Sequence, residues 1–144
     1  MRRAWVADLW QDGRMPVDCG LFCADGTGRE ADCDGAELTW FRLGDPIDME
    51  ALRTARPGWS ASADVFAEVV LPDGSGRLLS GGGSHGSDGF FARLDARGDL
   101  LWLVHLLCNE LVEITVDWPL ATFTNNCDNS LTVDLSGPDF GPAR

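Results

Sequence analysis

Two histidines, His85 and His105, and five cysteines, Cys19, Cys23, Cys33, Cys108 and Cys127, are the residues best suited to covalent or metal chemistry. Cys108 with a histidine is the one nucleophile–base set the chain offers. A catalytic thiol needs an imidazole within hydrogen-bond reach and a third group to orient it. Cys108 follows His105 by three residues, so in an extended segment their side chains leave on opposite faces. His85 lies beside Ser84 in the glycine-rich loop Gly81–Gly89, whose backbone N–H groups could converge on an anion. Ser84, His85 and Cys108 therefore define a candidate ligand site. A phosphate loop, however, follows a strand, opens a helix and carries a lysine or serine at fixed spacing. Here Phe90 opens a strand and the chain has no lysine. A bulged connection that uses glycine's tolerance of positive φ is the simpler reading of the loop. A hydrogen-bonded histidine and a buried thiol are the simpler reading of His105 and Cys108.

Metal ligation has two candidates. Cys19, Cys23 and Cys33 could supply three ligands, with Cys108, Cys127 or a histidine as the fourth, but their spacing C-x3-C-x9-C lacks the paired C-x2-C knuckles of zinc sites. Asp25, Glu30, Asp32 and Asp34 crowd one loop but miss the alternating acids, central glycine and final glutamate of a calcium-binding loop. No metal or cofactor is expected, and the acids read as a solvated loop.

Charge is more informative. The net charge is −12, and every basic residue is arginine. Such a balance repels nucleic-acid phosphates and anionic membranes and attracts basic partners. Glu110, Glu113, Asp117, Asp128 and Asp134 lie on or beside the C-terminal strands and are expected to form one negative, partner-binding face. No apolar run reaches the length of a membrane span. The first residues lack the unbroken apolar stretch of a secretory signal, so a cytoplasmic location with reduced cysteines is expected. The sequence sets no oligomeric state.

These residues must be positioned by a sheet. Arg3–Trp10 alternates and reads as a strand, Pro16–Cys23 as its hairpin partner, Asp25–Gly35 as a polar loop and Ala36–Leu43 as a third strand. Asp45, Pro46 and Asp48 mark a helix start, and Pro57 ends it, giving a helix over about 46–55. Strands follow at Ala63–Leu71, Arg77–Ser80 and Gly89–Asp95. Leu100–Leu107 is apolar everywhere except His105, the pattern of a strand buried on both faces. Leu111–Trp118 alternates, with Val112, Ile114, Val116 and Trp118 inward and Glu113, Thr115 and Asp117 outward. Leu120–Phe123 and Leu131–Leu135 complete the set. The expectation is a mainly β fold in a single domain over 1–144: an antiparallel sandwich or strongly curved sheet of about nine short strands with one short helix. Residues 137–144 are expected to be an irregular tail.

The run from Gly83 to His105, followed by Cys108-Asn109-Glu110 and Val112-Glu113-Ile114, resembles small bacterial proteins found beside polymorphic toxins as immunity proteins. Their pattern is a glycine loop, a G-F-x-A strand, a D-x-x-G-x-L-x-W hairpin and an S-N-P-F-x-x-I segment. Asn109 and Ile114 fit that last segment, while Cys108-Asn109-Glu110-Leu111 replaces most of it. The matching residues form a hairpin rather than a reactive centre, so the resemblance implies shared architecture more than shared chemistry. It also points to a toxin as the kind of partner, and the net charge of −12 points to a basic one.

The functional expectation is a non-enzymatic, acidic, protein-binding domain of immunity type that neutralises a basic partner, with Trp10 or Phe91 as exposed aromatic anchors. The alternative is a small-molecule or metal-binding β-domain, or an enzyme, built around Gly81–Gly89 and His85.

Overall fold

A computed structural model describes residues 4–55, 57–83 and 86–140. The elements run α1 (Trp5–Gln11), β1 (Arg14–Met15), β2 (Gly20–Cys23), β3 (Gly28–Cys33), a 3-10 turn (Gly35–Glu37), β4 (Phe41–Pro46), α2 (Met49–Ala55), β5 (Ala61–Ser62), β6 (Asp64–Val70), β7 (Gly76–Gly82), β8 (Gly89–Asp95), β9 (Leu100–Leu106), β10 (Leu111–Asp117), β11 (Leu120–Asn125) and β12 (Ser130–Asp134). All strand pairs are antiparallel. A seven-stranded sheet has the order β4-β3-β2-β9-β8-β7-β6, a three-stranded sheet the order β10-β11-β12, and β1 and β5 form a two-stranded ribbon. No helix among the described residues is long and apolar enough to cross a membrane.

The central strands are covered on both faces, which is why β9 carries almost no polar residue. On one face Leu21, Phe91, Trp102, Val104 and Leu106 meet Ala121, Phe123, Leu131 and Val133 of the three-stranded sheet. Phe91 is the hub of that layer. It stacks on Phe123 at 4.3 Å and meets Trp102 edge-on at 5.8 Å. On the other face Phe22, Phe90, Ala92, Leu94 and Leu103 are covered by Val6 of α1 and by Met15 and Ala61 of the ribbon, with Met49 and Leu52 of α2 packed against them. The molecule is thus a two-sheet sandwich whose larger sheet wears helices and a ribbon on its back.

Several elements differ from the sequence expectation for identifiable reasons. Trp5–Gln11 is a helix, not a strand. Its spacing places Val6 and Trp10 one turn apart, and these pack on the sheet, Trp10 meeting Phe90 edge-on at 5.8 Å. Residues 28–33, read as loop, form β3, because Ala31 and the half-buried Cys33 supply the inward contacts while Glu30 and Asp32 face outward. Pro46 ends β4 instead of opening a helix. Asp48 caps α2, its Oδ1 accepting from the Ala51 N–H at 3.0 Å. The strand count is twelve among the described residues rather than nine. In the tail, residues 137–140 are irregular but not frayed, since Phe140 is buried against Trp102 at 5.1 Å.

Candidate functional site: an acidic sheet face beside an exposed strand

The three-stranded sheet turns one face to the core and the other to solvent. Pairing sets Glu113 opposite Thr124, Thr115 opposite Thr122, and Asp117 opposite Leu120. The next strand continues those rows with Ser130, Thr132 and Asp134. Glu113, Asp117 and Asp134 therefore share the outer face, separated by a threonine row in which the Thr122 and Thr132 hydroxyls lie 2.8 Å apart. Asp134 accepts from the Ser136 N–H and hydroxyl at 2.9 and 2.7 Å, and these bonds hold its carboxyl below the ordinary range, keeping it charged. Asp128 lies in the exposed β11–β12 turn. The Glu110 side chain is half-buried over Gly82, at the start of β10. Of the five acids expected to form one face, three share it and two sit at its end.

A further signal lies in the sequence itself: no arginine occurs between Arg97 and Arg144, although Glu110, Glu113, Asp117, Asp128, Asp134 and Asp139 all fall there. Asp139 is neutralised by Arg29 at 2.5 Å. Nothing comparable offsets the outer-face acids within their own sheet, because β10, β11 and β12 contain no basic residue. Arg93 comes near, but it is buried beneath the sheet, 5.8 Å from the Trp118 ring centroid, donating to the Ser75 hydroxyl at 3.0 Å.

The expected aromatic anchors are not available. Phe91 is fully buried at the hub of the core, and Trp10 is half-buried against Phe90. The exposed apolar residues are others. Trp118 and Leu120 flank Asp117 at 40% and 43% exposure, and Val112 is turned outward by a bulge between Leu111 and Glu113. That bulge explains why Val112 does not point inward as alternation would have it. Trp118 has left the strand for the β10–β11 turn.

The Ser84, His85 and Cys108 site has a different character. Ser84 and His85 lie outside the described residues. Cys108 has no exposure, and burial pushes its thiol far above the ordinary range, so it is neither accessible nor ionised. His105 is buried too. Its Nδ1 faces the Pro16 and Asp18 carbonyls at 3.0 and 3.3 Å, and its Nε2 faces Asp88 Oδ2 at 2.8 Å. Carbonyls only accept, so Nδ1 donates to them while Nε2 meets the carboxylate. The pair joins β9 to the end of the glycine loop and to the β1–β2 connection. It is a structural clasp with no opening to solvent.

The loop glycines also have a steric rather than conformational basis. Among the described glycines of 81–89, only Gly86 has positive φ. A Cβ on Gly81 would lie 1.7 Å from the Asp64 carbonyl oxygen, and one on Gly83 would lie 1.9 Å from Asp88 Oδ2. The run is there because backbone and carboxylate approach it closely, and Gly81 and Gly82 are part of β7.

The metal candidates are dispersed. Asp25 accepts from the Thr27 N–H at 2.9 Å and Asp34 from the Thr39 N–H at 3.0 Å, so both carboxylates shape local turns, while Glu30 and Asp32 lie along β3. Among the described residues no group of three or more histidine, cysteine or acidic side chains converges as metal ligands would. A ≈530 Å³ cleft at the β3–β4 margin is lined by Cys19, Glu30, Asp32, Arg42 and Asp45 among others, and it is widely open.

The thiols make one measurable prediction. Burial is the leading cause that raises Cys19, Cys23, Cys33 and Cys108 above the ordinary thiol range. An acid whose folded value is raised adds stability that is present in full below its unfolded value and is lost as pH rises beyond it. Stability should therefore fall above about pH 9, with the fully buried Cys108 contributing most, up to about 1.4 kcal/mol per pH unit. Urea midpoints measured from pH 8 to pH 10.5 check this, and Cys108→Ala should flatten the decline.

The fold and its surface define the class: an antiparallel β-sandwich with an acidic, threonine-lined sheet face. No family model matches the chain, and no curated protein or solved structure is significantly similar to it.

Proposed function

We propose that this chain is a protein-binding β-domain that captures a basic partner on the outer face of its three-stranded sheet. The observation that carries this reading is the register, which sets Glu113, Asp117 and Asp134 on one surface with no basic residue in any of its three strands. A field of one sign steers an oppositely charged partner and sets orientation. Trp118 and Leu120 beside Asp117 supply apolar contact of the kind that anchors interfaces. In the specific version, supported by the resemblance of Gly83–Ile114 to immunity proteins, the partner is a basic toxin whose cationic site is occluded. Function then resides in binding, with no reaction assigned to the chain.

The test compares wild type with Glu113→Lys/Asp117→Lys/Asp134→Lys in affinity capture from the source cells. All three residues are exposed, so the variant should fold. The expected result is a basic protein retained by wild type, released as salt rises and lost by the variant. Equal retention by both proteins would place binding elsewhere.

A further inference from the structure

β2 pairs with β3 only through Leu21–Arg29 and Phe22–Gly28, so the chain just before β2 runs beside β3 without a ladder. Continued by two residues, that register sets Cys19 opposite Ala31, with Cys33 two residues further along β3 on the same face. The two thiols meet one peptide group. Cys33 Sγ lies 3.9 Å from the Leu107 carbonyl oxygen. The Leu107 N–H donates to the Cys19 thiol, and Cys33 is the leading ionisable neighbour of Cys19. Both side chains are half-buried, and Cys19 also lines the open cleft at the β3–β4 margin. The other thiols are placed differently. Cys108 lies near both but has no exposure. Cys23 stands further along β2, opposite Trp102, with its thiol bonded to Thr27. Cys127 is exposed in the β11–β12 turn.

We propose that Cys19 and Cys33 are a redox pair, which a small uncharged disulfide oxidises to a Cys19–Cys33 bridge that staples β3 to the β1–β2 connection. Cys19, reached through the cleft, attacks one sulfur of the reagent as a thiolate. A mixed disulfide forms on Cys19, and the first half of the reagent leaves and takes up a proton. Cys33 then attacks the Cys19 sulfur, and the second half leaves in the same way. Two protein thiols are oxidised and one reagent disulfide is reduced to two thiols. Charge selects the reagent. Glu30, Asp32 and Asp45 line the cleft against Arg42 alone, so an anionic disulfide is held off. Diagonal neighbours on antiparallel strands stand about 7–8 Å apart, and a disulfide requires less than about 7 Å between Cα atoms. No strand pairing fixes the separation at Cys19, so the backbone is free to close that gap. The bridge encloses residues 20–32 and ties down the segment whose Pro16 and Asp18 carbonyls accept from His105.

The test treats the reduced, folded Cys127→Ser chain with excess bis(2-hydroxyethyl) disulfide and maps the products by peptide mass spectrometry without reduction. Cys127 is exposed, so this substitution removes a competing thiol and leaves the core untouched. The expected product is a single intramolecular link between the Cys19 and Cys33 peptides, with Cys23 and Cys108 still free. Adding Cys33→Ser should stop the reaction at a hydroxyethyl adduct on Cys19. The linked protein should unfold at a higher urea concentration than the reduced one, because the bridge closes a loop in the unfolded chain. Three results would each overturn the proposal: a stable adduct on Cys19 beside a free Cys33, a link from Cys19 to Cys23 or Cys108, or an unmodified Cys19 under conditions that modify Cys127 in the wild type.

Discussion

Replacing Asp88 with alanine should lower the free energy of unfolding by about 3–5 kcal/mol, and His105→Leu should do the same. Both side chains are almost completely buried and lie 2.8 Å apart. Removing the carboxylate leaves Nε2 facing a cavity, while Nδ1 remains committed to the Pro16 and Asp18 carbonyls. Removing the imidazole leaves the carboxylate in a dry site and strips those carbonyls of their donor. A buried group that loses its partner costs far more than the intact pair contributes. Small domains are stable by only about 5–15 kcal/mol, so either change takes a large share. The double variant should cost much less than the sum of the two, because each single change already destroys the same contact. Urea titrations of the four proteins check this, and single costs below about 1 kcal/mol would show that the clasp is not what joins β9 to the glycine loop.

Gly81→Ala should be comparably damaging for a different reason. Gly81 sits in β7 opposite Val65, and its added Cβ would fall 1.7 Å from the Asp64 carbonyl oxygen. No rotamer relieves a Cβ–backbone clash, so β6 must move away from β7 at its first residues. The cost should be about 3 kcal/mol, the upper range for overpacking a rigid site. Gly58→Ala is the control. That residue has φ +73° and open space around its Cβ, so only the left-handed backbone opposes a side chain, at roughly 1–2 kcal/mol. Thermal melting of the two variants should show the larger loss at Gly81. The reverse order would mean that backbone conformation, rather than crowding, accounts for glycine in this protein.

The parts of this fold legible in the sequence are those in which a strand's own side chains report both of its faces. Gly89–Asp95 forms a strand with the expected limits, and Leu100–Leu106, apolar throughout except His105, lies between two packed layers. Short segments were harder to read. In Trp5–Gln11 a two-residue period and a helical period place nearly the same residues together, and only docking of Val6 and Trp10 on the sheet decides between them. β3 is hard to see because a strand near a sheet margin needs only Ala31 and Cys33 to pack inward, and polar residues surround them. For the candidate site, the acids were visible as residues, but their common face depends on the register of three strands. The anchors differ because exposure of an aromatic is set by its layer and register: Phe91 lies inside between the two sheets, and Phe66 lies outside at a register shift in β6. The Asp88–His105 clasp joins residues seventeen apart through β8 and β9, and no local spacing announces it.

Hydrogen exchange on the complex with the basic partner recovered by capture tests the central claim most directly. The account predicts slowed exchange in β10, β11 and β12, at residues 111–134, with α1, α2 and the β1–β5 ribbon unchanged. Protection confined to the helical back of the larger sheet, or failure of any basic protein to bind wild type in a salt-sensitive way, would contradict it.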